Sequence, residues 1–235
     1  MMYRTILAEC VAAQWRALIE QEKAIAVIRS SDFAVGLACA EAVAKVGMRL
    51  IEVTWNSHRP EELVAELRIR FPHCAIGAGT ILTLDDLDNA ISAGAQFVFS
   101  PHFNSHLVER CLQQQIPYIP GALSPTEVVT AYQAGASAVK VFPVSALGGS
   151  SYIKSLKSPL SDIPLIPTGG VNLKNAQEMI DAGAIAVAIA GDLFPSASVE
   201  MEDWEHISDR ASYLVEKLRD GKPGSTRNIR NIKAR

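Results

Sequence analysis

The sequence has no apolar run approaching the ~20 residues that a membrane span requires. A membrane is therefore not expected among its partners. Its first residues, Met1-Met2-Tyr3-Arg4-Thr5, lead into a helix-like segment carrying Glu9, Arg16 and Glu20, and no apolar h-region of a signal peptide is present. Cysteine is sparse. Cys10, Cys39, Cys74 and Cys111 are widely spaced with no CxxC pair, a pattern of small core residues in a reducing compartment, not of a disulfide frame or a zinc site. A cytoplasmic location is expected. A strong excess of one charge is missing too: the net charge is -3, which argues against nucleic acid as the main partner. What remains is 235 residues, 49% hydrophobic and 20% charged. These are ordinary values for a soluble globular enzyme with a large core, and the length suits one α/β barrel or two smaller domains.

A strand-then-helix rhythm fills most of the chain. A helix is expected over residues 5–22, followed by an apolar strand from Ala24 to Arg29. Ser31-Asp32 offers an N-cap for a helix to about Val46, which Gly47 closes. Strands two to five are expected at Leu50–Thr54, Cys74–Thr80, Phe97–Ser100 and Pro117–Pro120, with helices over 60–70, 84–93, 104–115 and from Ser124. Ser124 and Glu127 match a capping box. Strand six is Ala136–Pro143, with a short helix near 150–157; strand seven is Ile163–Pro167, with a helix over 173–182. Strand eight is Ala184–Ala190, and a last helix runs from about Glu202 to Arg219. Ala-Gly-Ala recurs at 93–95, 134–136 and 182–184, each marking a helix end that feeds a strand.

Eight such units, with strands apolar on both faces, predict a (β/α)8 barrel with an N-terminal helix as one domain over residues 1–220. A doubly wound open sheet is the alternative, but Gly77-Ala78-Gly79-Thr80 is a poor nucleotide fingerprint. The tail over 221–235 carries Arg227, Arg230, Lys233 and Arg235 with few apolar residues, and is expected to be flexible.

In a barrel, functional side chains gather at the C-terminal ends of the strands. Those ends supply Arg29, Glu52 with Thr54, Thr80, Ser100-Pro101-His102, Pro120-Gly121, Lys140, Thr168-Gly169-Gly170 and Ala190-Gly191. Glu52 and Lys140 interrupt apolar strands and are expected to point into the barrel mouth. They could form a buried structural ion pair. A buried lysine that loses its proton is instead a nucleophile towards ketones, and a carboxylate beside it can move protons during C–C cleavage. The positive charge of Arg29 would help keep Lys140 neutral. Thr168-Gly169-Gly170-Val171-Asn172 and Ala190-Gly191-Asp192 follow strands seven and eight, where barrels often hold phosphate on backbone N–H groups. A tight turn is the other reading of the Gly-Gly pair, and the Asp192 carboxylate is repulsive to phosphate unless it points outward.

Taken in order, Ala26-Val27-Ile28-Arg29, Ile51-Glu52-Val53-Thr54, Gly77-Ala78-Gly79-Thr80, Ser100-Pro101-His102, Ile119-Pro120-Gly121, Lys140-Val141-Phe142-Pro143 and Pro167-Thr168-Gly169-Gly170-Val171 resemble the 2-keto-3-deoxy-6-phosphogluconate (KDPG) aldolase family, which includes 4-hydroxy-2-oxoglutarate aldolases. The resemblance spans Ile25 to Phe194. It implies a class I aldolase of keto acids that needs no metal or other cofactor and is commonly a homotrimer. By this likeness Lys140 is the Schiff-base lysine and Glu52 the general acid/base. Thr80 and Arg29 hold the pyruvyl carboxylate, Pro101 and Thr168 wall the pocket, and Gly169, Gly170 and Gly191 cradle the distal group. Two positions depart from the pattern. Asn56 stands where some members carry a carboxylate-binding arginine, and Gly191 where many have a phosphate-binding serine. Trp55-Asn56-Ser57 and Gly191-Asp192-Leu193 resemble the 6-phosphogalactonate branch. Another phosphate-binding isomerase or synthase barrel, or a non-catalytic keto-acid binder, are the competing readings.

Overall fold

The computed structural model describes residues 13–220. The expected helical residues 5–12, Cys10 and the basic tail over 221–235 lie outside the described residues. Helix α1 is described over 13–22. Strands and helices then alternate as β1 (Ala24–Ile28), α2 (Phe33–Ala44), β2 (Leu50–Thr54), α3 (Pro60–Arg70), β3 (Ala75–Gly79), α4 (Leu84–Ser92), β4 (Val98–Phe99), α5 (Ser105–Gln114), β5 (Tyr118–Ile119), β6 (Gly121–Ala122), α6 (Pro125–Gln133), β7 (Val139–Val141), α7 (Ser150–Lys157), β8 (Leu165–Pro167), α8 (Ala176–Asp181), β9 (Val187–Ile189), α9 (Ser196–Glu200) and α10 (Trp204–Asp220).

All paired strands run parallel, in one sheet ordered β5-β4-β3-β2-β1-β9 and another ordered β6-β7-β8. The chain itself joins the sheets through Pro120. The opposite seam is closed by a parallel bridge between Thr168 and Ala188 and by the Ile185 amide, which donates to the Leu165 carbonyl at 3.1 Å. Eight strand positions therefore form a closed ring with helices outside, a (β/α)8 barrel. An open doubly wound sheet has no such closure.

One strand departs from expectation. Residues 117–120 were expected as a single strand five, yet β5 and β6 are separate. Pro120 has no N–H to donate to a ladder, although its carbonyl still accepts from the Lys140 amide at 2.9 Å. The sixth, seventh and eighth expected strands are accordingly β7, β8 and β9. Helix α8 starts at Ala176, not 173, because the Asn172 side chain accepts from the Lys174 and Asn175 amides and holds a turn there. A 3-10 turn at Val144–Leu147 and the short α9 were not anticipated.

Helix ends follow the local chemistry. Asp32 Oδ1 accepts from the Val35 amide at 3.0 Å, and Ser124 with Glu127 closes the anticipated capping box behind Pro125. Gly94, Gly135 and Gly183, the centres of the three Ala-Gly-Ala phrases, all have positive φ at their helix ends.

The core has two layers. Alternate strand residues point outward under the helices, among them Ile51, Val53, Val139 and Val141. Those of the other parity fill the barrel: Ile25, Val27, Leu50, Phe97, Phe99, Ile119, Ala138, Ile166, Ala186 and Ala188, with Trp15 and Ile19 of α1 packed against them. Glu52 and Lys140 share the parity of Leu50 and Ala138, so both belong to the inner set. No helix among the described residues is long and apolar enough to cross a membrane.

Candidate active site

The mouth of the barrel holds a cavity of roughly 620 Å³. Arg29, Glu52, Thr80, Pro101, Lys140, Thr168, Gly169, Gly170 and Gly191, the residues singled out above, all line it. Strand parity explains why: Arg29 follows Ile25 and Val27 on the inward face of β1, and Thr168 follows Ile166 on that of β8.

Lys140 and Glu52 are almost wholly enclosed, at 6% and 2% exposure. The ion pairs among the described residues do not join them. The two therefore face a shared cavity instead of neutralising one another. Burial pulls the Lys140 ammonium below its ordinary range. Arg29 acts in the same direction more weakly, and the Glu52 charge opposes both. Burial pushes the Glu52 carboxyl up, against the attraction of Lys140 and Arg29. The expected influence of Arg29 on Lys140 has the right sign, but desolvation is the larger cause.

Neighbouring residues complete the site. The Lys140 Nζ lies 4.7 Å from the centre of the Phe142 ring, within cation–π range. Phe142 was not singled out from the sequence, although i, i+2 alternation from Lys140 would have placed it in the mouth. Thr80 has φ +60, an outlying conformation for a β-branched residue, of a kind that collects at functional sites. Arg29 Nε donates to Asn56 Oδ1 at 3.2 Å, so the residue standing in for the other branch's arginine is in contact with Arg29.

The glycines of β3, met in the sequence as a poor nucleotide fingerprint and a family motif, have a packing role that spacing does not reveal. A β-carbon on Gly77 would lie 2.2 Å from the Phe97 ring, and one on Gly79 would strike the Glu52 carboxylate. They make space for inward side chains. Gly169 and Gly170 have φ of +81 and +86 and form a tight turn against Phe142 and Ser145. The amides of Gly170, Val171 and Gly191, three residues that line the cavity, have no acceptor among the described residues.

Residues 16–210 match the family model described as KDPG and KHG aldolase. A 2-dehydro-3-deoxy-phosphogluconate aldolase of Treponema pallidum is 33% identical over 81% of this chain and 90% of its own length. A 2-dehydro-3-deoxy-6-phosphogalactonate aldolase of Escherichia coli is 32% identical over 83% of this chain and 94% of its own. Among solved structures, a KDPG aldolase from Legionella pneumophila with pyruvate captured as a covalent carbinolamine superposes with a TM-score of 0.79. It is 28% identical, and the alignment covers 85% of this chain and 97% of that one. On sequence and fold together, the chain belongs to the KDPG and KHG aldolase family.

Proposed function

We propose that this chain is a class I aldolase that cleaves a 2-keto-3-deoxy or 4-hydroxy-2-keto acid to pyruvate and an aldehyde. KDPG would yield glyceraldehyde 3-phosphate, and 4-hydroxy-2-oxoglutarate would yield glyoxylate. The observation that carries this reading is the enclosed Lys140 amine, destabilised as a cation and facing one cavity with Glu52.

In this reading the neutral Lys140 Nζ adds to the substrate's C2 ketone. Glu52 delivers the proton that lets the carbinolamine lose water, leaving an iminium ion. The ionised Glu52 then takes the proton of the C4 hydroxyl, directly or through water. The C3–C4 bond breaks, its electron pair flows into the iminium, and an aldehyde departs from the enamine. Protonation of the enamine at C3 and hydrolysis release pyruvate and restore Lys140. On this reading Arg29 and Thr80 hold the carboxylate, Pro101 and Thr168 wall the pocket, and the Gly169, Gly170 and Gly191 backbone receives the far end.

Borohydride reduction in the presence of pyruvate tests the reading. A permanent adduct is expected on the peptide containing Lys140; no adduct, or one on another lysine, would remove the central claim. A second reading, 2-keto-3-deoxy-6-phosphogalactonate as substrate, is supported by the likeness of Trp55-Asn56-Ser57 and Gly191-Asp192-Leu193 to that branch and by the 32% identity to the galactonate relative. Relative kcat/KM for the two C4 epimers decides it. One barrel domain over 1–220, a homotrimer and a cytoplasmic location belong to the same proposal; a designed cage built from symmetric oligomeric domains is 32% identical to this chain, with a TM-score of 0.76. Light scattering tests the trimer.

A further inference from the structure

The cavity wall after β9 contains a fixed carboxylate. Asp192 lines the cavity directly after Gly191. Its Oδ2 accepts from the Leu173 amide at 2.8 Å, in the turn that continues from Gly169 and Gly170. The same oxygen lies 3.1 Å from the Arg210 guanidinium, and Arg210 Nε donates to the Asp192 carbonyl at 2.8 Å. The carboxylate is thus held from two sides and has already taken one loop amide that an incoming anion could use. Arg210 is committed to Asp192 and its side chain is only 12% exposed, while that of Asp192 is 37% exposed. The cavity's lysine and arginine are Lys140 and Arg29, at the ends of β7 and β1. Among the described lining residues, a phosphate on the loops after β8 and β9 therefore meets the Gly170, Val171 and Gly191 backbone and a carboxylate, without a further side-chain cation. A hydroxyl there meets both donors and an acceptor.

We propose that Asp192 is a specificity-determining residue that opposes a phosphate dianion at the far end of the substrate, leaving the site open to substrates that end in an uncharged hydroxyl. The inference rests on the aldolase reading above. Charge placed against one ligand is a standard source of discrimination, and Arg210 sets how much of the Asp192 charge the ligand feels.

The test compares KDPG with 2-keto-3-deoxygluconate, the same carbon skeleton without the phosphate. The ratio of their kcat/KM values is measured in the wild type, in Asp192→Asn and in Arg210→Gln. Taking the ratio within each protein cancels any inactive fraction. Asp192→Asn keeps an oxygen for the Leu173 amide but removes the charge, and should raise the ratio by about tenfold towards the phosphate. Arg210→Gln uncovers the carboxylate and should lower it. A ratio that stays within about twofold of wild type in both variants, or moves the opposite way, overturns the assignment. Failure of the wild type to cleave either substrate, together with no pyruvate adduct on Lys140, overturns the aldolase reading itself. A trapped adduct with an unmoved ratio removes only the role of Asp192.

Discussion

A β-carbon on Gly79 would sit 1.7 Å from Oε1 of Glu52. The buried carboxylate of β2 thus crosses space that exists only because its neighbour on β3 has no side chain. Gly79→Ala should displace the carboxylate and reduce kcat by at least about 100-fold, the scale of a lost acid/base group. Overpacking should also cost about 1–3 kcal/mol of stability. Gly77→Ala is the matched comparison, because its β-carbon would strike Phe97 instead. Its melting temperature should fall while its folded fraction keeps turning over. Equal kcat losses in the two variants would mean that Glu52 placement is not what Gly79 protects.

These glycines also show where sequence reading stops. The barrel was legible because several helices announce their ends: α3 and α7 lie at 60–70 and 150–157 as expected, and Asp32 and Ser124 cap as their types require. Period-2 alternation fixed the inward side of Glu52 and Lys140. The break at Pro120 depended on a missing N–H at one ladder position, and run-based reading passes over a single residue. The contacts of Gly79 with Glu52 and of Arg29 with Asn56 join residues from different units, and that of Asp192 with Arg210 joins a loop to a helix 18 positions on. Their partners follow from barrel register and side-chain reach, and spacing along the chain carries neither.

Replacing Lys140 separates its chemical role from a structural one. The amine is buried and outside the ion pairs, so its charge opposes folding more than it aids it. Lys140→Met keeps most of the volume and should leave the melting temperature equal or higher. Cleavage should fall by at least about 1,000-fold, since no other lysine among the described residues lines the cavity. A variant that fails to fold would instead identify Lys140 as a structural residue.

The opposed pKa shifts give pH dependence a definite sign. Glu52 is raised from its ordinary 4.5 by burial. Between 4.5 and the folded-state value, the unfolded chain has released a proton that the folded chain keeps. Glu52 therefore contributes stability that is present below 4.5 and is lost as pH rises through the folded pKa. Lys140 is lowered from 10.5 by burial, so its contribution is present above 10.5 and is lost as pH falls through its folded pKa. Glu52→Gln removes the first effect. The melting temperature of this variant minus that of wild type should grow as pH is raised above 4.5. A difference that stays flat with pH is incompatible with a raised Glu52. In parallel, kcat/KM should climb with pH on a limb that lies below 10.5 as Lys140 loses its proton.

Gly191 offers a substitution that adds a contact instead of removing one. A β-carbon there would meet nothing within 4 Å, and its φ lies outside the left-handed region, so Gly191→Ser introduces a hydroxyl without backbone strain. The new Oγ borders the cavity that Gly170 and Val171 also line. One added hydrogen bond to an anion, worth about 1.5–3 kcal/mol when the acceptor is charged, should lower KM for KDPG by roughly tenfold or more. For 4-hydroxy-2-oxoglutarate, which is one carbon shorter and carries no phosphate, KM should change little. The neighbouring Asp192 carboxylate competes for the same hydroxyl, so the gain should be larger when Gly191→Ser is combined with Asp192→Asn. If Gly191→Ser alters KM for the two substrates equally, the loop after β9 does not receive the far end of the substrate, and the phosphate must be sought elsewhere in the mouth.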